Sequence, residues 1–531
     1  MKIYLKHQRG RVSFNIVWII LDVLLATATS VILTFTTNAI FAKDMKGLLI
    51  WSVINLSVWG LYLISDYFQT VFQERLTQRI MVDVRSTITD KIAGSSYAKY
   101  HSNTTGEYLS EYVNDAGNIE SNAIQKSFSL ISAGTTVIFS TIALAAYHLL
   151  FIPIILILSL LMLKGPSRLG KPMTKATTDM SGGNAALSNQ ITNVLNGFDV
   201  LFNANRLGRL KRLVQAAAQK YAGVKVSYTK TSARVANSIA ALSIFCQVMV
   251  DIMTSIFAIL GMIPLGAISS TGNIAASIFN SLSSLSNDTV QIRATRPLFD
   301  KIVPESATSL TAAENSLPRT FLHELKAVNL SYSIDGKNVL NHLNITFKHG
   351  GKYAIVGRSG VGKSTLLKIL DGQITDYTGH VYIDGQDLRT MTMAELTKVS
   401  QYVDQNVYLF NDSVENNISL WEAKPNPDNL KTALARARVD FVQSSNQVIE
   451  ENGQNFSGGQ KQRLALARFF YTPKPIAFVD EGTSALDADT ANQVTKEFLN
   501  DPQLTLIEVS HHLNPELERA YDQVIDLGTK A

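Results

Sequence analysis

Gly357-Arg358-Ser359-Gly360-Val361-Gly362-Lys363-Ser364-Thr365 decides how this 531-residue chain is read. The stretch fits G-x-x-x-x-G-K-S, the P-loop pattern. The preceding run, Tyr353-Ala354-Ile355-Val356, predicts a buried strand, and the following run, Leu366-Leu367-Lys368-Ile369-Leu370, predicts a helix. Strand, glycine-rich turn and helix are the context this pattern needs. The glycines let the backbone fold back so that its N–H groups converge, and the helix N-terminus adds partial positive charge. Lys363 is expected to reach the outer phosphates of a nucleotide as a point charge, and the Ser364 hydroxyl to hold Mg²⁺.

Working outward, other chemistry-bearing residues fall at the ends of further predicted strands. Val399-Ser400-Gln401-Tyr402-Val403-Asp404-Gln405 ends one strand with Gln405 at its tip. Ile476-Ala477-Phe478-Val479-Asp480-Glu481 ends another in two acids. One acid suits Mg²⁺ coordination and the next can polarise an attacking water. Val509-Ser510-His511 brings an imidazole to the same edge. In open α/β sheets ligands bind at the carboxyl ends of strands, and Gly357, Gln405, Glu481 and His511 all follow predicted strands. Ser457-Gly458-Gly459-Gln460 opens a helix, whose N–H groups with Ser457 make a second phosphate site. Tyr332, between two predicted strands upstream, is placed to stack on an adenine ring. Ser364, Gln405 and Asp480 are the candidate metal ligands.

The first 300 residues have a different character. Only 17% of all residues are charged, low for a soluble enzyme of this length. Apolar segments long enough to cross a bilayer are expected at about 13–41, 46–74, 128–147, 150–163, 235–262 and 272–289. From Phe128 to Leu163 no Asp, Glu, Lys or Arg interrupts the sequence, so this run reads as a hairpin turning near His148, between Tyr147 and Pro153. Cys246, the one cysteine, excludes an intramolecular disulfide and reads as a small buried hydrophobe. The basic start (Lys2, Lys6, Arg9, Arg11) runs into apolar sequence without a cleavage site, as in a retained anchor.

Basic residues mark cytoplasmic segments. The N-terminus and the two long charged segments, about 75–127 and 164–234, are therefore expected inside, with the C-terminal part returned to the cytoplasm. Those inner segments are expected to continue the spans as helices and turn back, with Asn114-Asp115 and Asn205-Arg206 as candidate tips. Acids inside spans call for a function. Asp22, Asp66 and Asp288 are expected near an interface, while Asp251 lies deeper. Ser277, Asn280, Ser281, Ser284 and Asn287 make one polar face of the sixth span, which could line a cavity or join helices.

The expected fold is thus an all-α six-helix transmembrane domain with long cytoplasmic extensions (1–301), a linker (302–321) and an α/β P-loop ATPase domain with a helical subdomain (322–531). On these motifs the chain resembles the ABC transporters, and more narrowly the exporter-type half-transporters that join six spans to one nucleotide-binding domain. The resemblance covers essentially the whole chain. It implies that Gly357 to Thr365 is the Walker A, Gln405 the Q-loop glutamine, and Ser457-Gly458-Gly459-Gln460 the signature. Asp480 and Glu481 become the Walker B acid and the catalytic base, Ser484 to Asp487 the D-loop, His511 the switch histidine and Tyr332 the adenine-stacking aromatic. Glu451-Asn452-Gly453, Gly106-Glu107 and Asn114-Asp115 also match the exporter pattern. Phe456 stands where leucine is usual, Asp404 where proline is usual, and the segment from Val439 to Glu451 is short.

The resemblance further implies ATP and Mg²⁺ as cofactors and a second half-transporter, identical or different, as partner. It also implies a plasma-membrane location with both termini cytoplasmic, and ATP-driven export of an amphipathic drug, lipid or peptide by alternating access. An importer on the same scaffold and an ATP-gated channel or regulator are the alternatives. A peptide-processing protease domain ahead of the first span is not expected.

Overall fold

The computed structural model describes residues 2–164, 170–302, 321–334, 336–510 and 513–528. The expected linker lies outside these residues except at its two ends. His511 also lies outside them. The chain divides into two compact units, Met1–Lys91 with Thr105–Glu305, and Ile92–Thr104 with Ser306–Ala531.

The first unit is helical. Helix α1 spans Arg9–Phe41 and α2 Met45–Ala93. Helix α3 runs over Thr105–Tyr147, with π-type turns at Glu111–Asp115 and Glu120–Ile124. Then follow α4 (Phe151–Lys164), α5 (Gly170–Asn196), α6 (Leu207–Ile259) and α7 (Ala267–Ala294). Among the described residues, α1, α2, α3 and α6 are long and apolar enough to cross a membrane, and α4 is a shorter apolar helix. The predicted sixth span falls on α7, which is more polar.

Apolar side chains on α2, among them Leu49, Val53, Leu56, Leu61 and Ile64, are exposed. A helix that shows such a face is built for lipid, where association relies on packing and interhelical hydrogen bonds. Those bonds join α1 to α2. Asn15 accepts from the Gln69 amide at 3.2 Å and donates to Gln73 at 3.3 Å. The Trp18 indole donates to Ser65 at 2.9 Å, and Ser65 donates to Asp22 at 2.5 Å. Asn15, Trp18 and Asp22 sit three and four residues apart, so they share one helix face. The far ends of α1, α3 and α7 are joined the same way. The Tyr147 hydroxyl bonds Thr34 at 2.6 Å and Ser270 at 2.8 Å.

Helix α3 ends at Tyr147, His148 is extended and α4 begins at Phe151. The turning points differ from expectation in one case. Asn205 adopts φ 53° between the helix Phe198–Asn203 and α6, so it does mark a reversal. Asn114-Asp115 instead lies within α3, in the first π-type turn. The chain reverses earlier, through Gly94-Ser95-Ser96, the short helix Tyr97–His101 capped by Ser96, and Ser102-Asn103-Thr104. Clusters of glycine, serine, asparagine and threonine break helices. That signal is present in the sequence at 94–104 and absent at Asn114-Asp115.

The second unit carries two sheets. Strands β1 (Glu324–Ile334), β2 (Lys337–Lys348), β4 (Thr378–Ile383) and β5 (Gln386–Asp387) form an antiparallel sheet in the order β2-β1-β4-β5. Strands β3 (Lys352–Val356), β6 (Ser400–Val403), β7 (Ile476–Asp480), β8 (Thr505–Val509) and β9 (Gln523–Asp526) form a parallel sheet in the order β6-β7-β8-β3-β9. Helix α8 (Lys363–Leu370) follows β3, α9 (Gly458–Tyr471) precedes β7, and α10 (Ala488–Leu499) follows it. β7 and β8 are buried along their whole length. Both faces of a parallel sheet are covered, so its strands read as continuous apolar runs. Parallel strands also bring all their carboxyl ends to one edge, and the site is there.

Candidate functional site

The turn after β3 is shaped by glycine. Gly357, Gly360 and Gly362 have φ of 144°, 81° and 100°, a region that side chains with a Cβ rarely enter. At Gly362 a Cβ would also come within 2.8 Å of Val339 on β2. Tyr332 pairs with Leu340, the neighbour of Val339, which sets the expected adenine-stacking aromatic on the strand next to this contact. Arg358 and Ser359 are exposed in the turn, Val361 is half-buried, and Ser364 and Thr365 open α8.

Lys363 is buried, and its ammonium donates to the carbonyls of Gly357 at 2.8 Å and Arg358 at 3.2 Å. The ammonium is therefore held over the loop by neutral acceptors, which a phosphate can replace with stronger charge-assisted bonds.

Ser364 and Asp480, 116 residues apart, meet directly. The Ser364 hydroxyl donates to Asp480 Oδ1 at 3.0 Å. The other carboxylate oxygen, Oδ2, accepts from the Tyr402 hydroxyl at 2.8 Å. Burial, and then the charge of Asp480, pushes the Tyr402 phenol far above its ordinary range, so it stays protonated and donates. Sequence reasoning passed over Tyr402. The parallel register shows why it belongs: Tyr402 pairs with Phe478, two residues before Asp480 and on the same side of the strand.

Glu481 takes φ 50°, in the left-handed region. A non-glycine residue there costs on the order of 1–3 kcal/mol and marks functional sites. Its backbone N–H donates to Val509 O at 3.1 Å, and its carboxylate accepts from the Gln405 amide at 2.7 Å. The tips of β6 and β7 are thus joined by the two side chains expected to act there. Asp404 accepts from the Asn406 N–H at 2.8 Å, so an Asx turn stands in for the usual proline.

Ser457 and Gln460 cap each other at the start of α9: Ser457 Oγ accepts from Gln460 N at 3.3 Å and Gln460 Oε1 from Ser457 N at 2.8 Å. Gly458 and Gly459 lie beside Ala485, where a Cβ on Gly459 would meet the Ala485 carbonyl at 2.8 Å. Gln462, one turn on, bonds Ser484 Oγ at 3.2 Å and accepts from Ala485 N at 2.8 Å. It ties the signature helix to the Ser484–Asp487 turn, a role the sequence did not reveal. Phe456 has a packing reason: its ring meets Phe441 edge-on at 5.6 Å, and the Arg463 guanidinium lies over Phe441 at 4.6 Å.

Oxygen donors suit Mg²⁺, a hard cation, and the Ser364 hydroxyl with the Asp480 carboxylate is such a pair. Gln405, the third expected ligand, is bonded to Glu481 rather than to either of them.

A glycine-rich phosphate loop, a buried acid facing its serine and a second acid directly after it at the end of the same strand define a P-loop nucleotide-binding unit. In the same chain stands a unit of long apolar helices. The ABC transporter transmembrane region matches residues 12–287, more than half of the chain, and the ABC transporter domain matches residues 340–484. The chain belongs to the ABC transporters, as one membrane region followed by one nucleotide-binding region, and is an ATPase coupled to movement of a substance across the membrane that holds it. It is 26% identical over 505 residues to the ATP-dependent lipid A-core flippase of Salmonella typhimurium, covering 91% of this chain and 85% of that one. It is 27% identical over 517 residues to that of Bordetella avium, covering 92% and 85%. An uncharacterised ABC transporter ATP-binding protein of Bacillus subtilis is 26% identical over 488 residues, covering 88% and 83%. A bacterial Atm1-family ABC exporter solved with ATP bound has the same fold, with a TM-score of 0.80 at 21% identity over 98% of this chain and 94% of the other.

Proposed function

We propose that this protein is a half-transporter that exports an amphipathic compound across a bacterial plasma membrane, working as a dimer by alternating access. The observation that carries the reading is the gathering of Lys363, Ser364, Asp480, Glu481 and Gln405 at one edge of a parallel sheet, in a chain that also builds a membrane region. The flippase relatives support a lipid-like substrate. The basic N-terminus and basic inner segments support cytoplasmic termini.

In this reading the Walker A backbone and Lys363 bind the β- and γ-phosphates of ATP, and Tyr332 stacks on the base. Ser364 and Asp480, with Gln405 at the edge, hold Mg²⁺, which when bound neutralises charge on the phosphates. Glu481, held by Gln405, polarises the attacking water, and His511 contacts the γ-phosphate. Ser457 to Gln460 of the partner completes the site, so two chains arranged head to tail enclose two nucleotides. ATP then shifts the equilibrium toward the closed dimer because it binds that state more tightly, and hydrolysis resets it.

ATP hydrolysis by the purified protein reconstituted in lipid, compared with Glu481→Gln, tests the reading. The variant should bind ATP and hydrolyse it very slowly. Near-normal turnover would remove Glu481 as the base. Robust wild-type hydrolysis by the protein expressed alone supports a homodimer; none, with bound ATP, supports a second half-transporter.

A further inference from the structure

Three acids of the helical unit are buried among the described residues: Asp22, Glu111 and Asp288. Two of them hold their own ammonium. Asp288 faces Lys126 at 3.0 Å, and Glu111 faces Lys91 and Lys301, each at 3.2 Å. Asp22 is 7% exposed, and its described partner is the neutral Ser65 hydroxyl on Oδ1. Its second oxygen, Oδ2, has no hydrogen-bond partner.

Asp22 lines a cavity of about 190 Å³ among α1, α2, α3 and α7. Asp66 lines it too, and among the described residues no lysine, arginine or histidine does. The remaining wall mixes apolar side chains (Ile19, Val23, Ala26, Ile274) with hydroxyls and the Gln69 amide, and three of the hydroxyls are placed as acceptors. Thr27, Thr136 and Ser277 donate their hydroxyl protons to carbonyls one turn back on their own helices, at 2.8, 2.9 and 3.0 Å. Their oxygen lone pairs are left for whatever enters. Tyr62 adds an aromatic ring, and rings attract cations. The polar face expected on the sixth span is thus divided: Ser277 lines this cavity, while Asn280 accepts from Ser243 on α6 at 3.5 Å. Asp251, the acid favoured by depth in the sequence, is exposed and lies outside this cavity.

A buried charge without a partner is costly, and within a membrane it marks a substrate or ion path. We propose that this cavity receives the cationic headgroup of an amphipathic substrate, an ammonium or guanidinium bound by Asp22 with Asp66. The proposal rests on the transport reading above for its consequence, and on the cavity alone for binding.

Binding is therefore measured first, without nucleotide. Labelled dodecyltrimethylammonium is titrated onto the full chain in nanodiscs, with empty nanodiscs subtracted. Saturable binding is expected, displaced weakly by the neutral dodecyldimethylamine N-oxide and not by dodecyl phosphate. Asp22→Asn, which keeps the acceptor for Ser65, should weaken binding at least ~10-fold, about 1.4 kcal/mol. Asp66→Asn should weaken it by a smaller factor, and stands in if Asp22→Asn does not fold. Asp251→Asn should leave it unchanged. Equal affinity for the N-oxide or the phosphate, or unchanged binding in both cavity variants, would overturn the proposal. ATP hydrolysis is read separately. Binding that meets every expectation without altering hydrolysis upholds the cationic site and counts against the transport reading.

Discussion

Two buried aspartates, one in each unit, have opposite surroundings. Asp480 is 5% exposed and has both oxygens occupied, by the hydroxyls of Ser364 and Tyr402. Asp22 is 7% exposed and has one oxygen occupied. The contrast separates two uses of a carboxylate. Where the ligand is always the same, the acid is locked in one orientation and the second shell fixes it. Where the acid faces a cavity, an oxygen is held in reserve for what arrives.

Experiments on the nucleotide-binding unit can break the first half of that contrast. Glu481→Gln keeps the shape and its bond to Gln405 but cannot take up a proton. Hydrolysis should fall by about 10²–10⁴-fold, the usual worth of a positioned base, with ATP binding retained in a filter assay. Lys363→Ala removes a charge-assisted contact worth about 1.5–3 kcal/mol, so ATP affinity should fall by roughly 10–100-fold. Unchanged affinity would refute the phosphate-binding loop. Tyr402→Phe makes Asp480 resemble Asp22, with one oxygen released. Loss of a second-shell partner costs about 10–100-fold in metal affinity, so the Mg²⁺ concentration that half-saturates ATP binding should rise by about that factor. ATP binding in EDTA should not change. A parallel loss in EDTA would mean that Tyr402 supports only the fold.

A third carboxylate, half-buried, sharpens the comparison. Asp371, just past α8, accepts from Ser400 and Gln373, both at 2.8 Å. Burial outweighs these neutral donors and pushes its carboxyl up from 3.8 to about 6. The folded chain then keeps a proton that the unfolded chain has released, so stability falls as pH rises from 3.8 to about 6. Asp371→Asn should remove that slope and stabilise the protein by about 1–3 kcal/mol above pH 6. Melting of wild type and variant at pH 5 and pH 7.5 checks this. An equal pH dependence in both would place the titration elsewhere.

The two units were not equally legible in the sequence. The P-loop, Gln405, Asp480 and Glu481 could be placed at strand ends because phosphate chemistry needs particular residues at particular spacings. The parallel sheet brings those ends together. Tyr402 was hidden because its partner lies 78 residues away on the next strand, and only the register joins them. In the helical unit the apolar runs revealed the helices and the hairpin at His148. They could not rank the acids. Depth favoured Asp251, whereas burial without a facing ammonium singles out Asp22 among the described acids of this unit, and that combination belongs to the packing of several helices at once. The reversal at 94–104, which groups with the second unit, was written in the small and polar runs Gly94-Ser95-Ser96 and Ser102-Asn103-Thr104 on either side of a short helix.

The most direct test is ATP-driven movement of a fluorescent amphiphile in proteoliposomes whose nucleotide-binding units face outward. Wild type given Mg²⁺ and ATP should accumulate the probe inside, and Glu481→Gln should not. Hydrolysis without accumulation, or ATP-driven loss of preloaded probe to the outside, would contradict export.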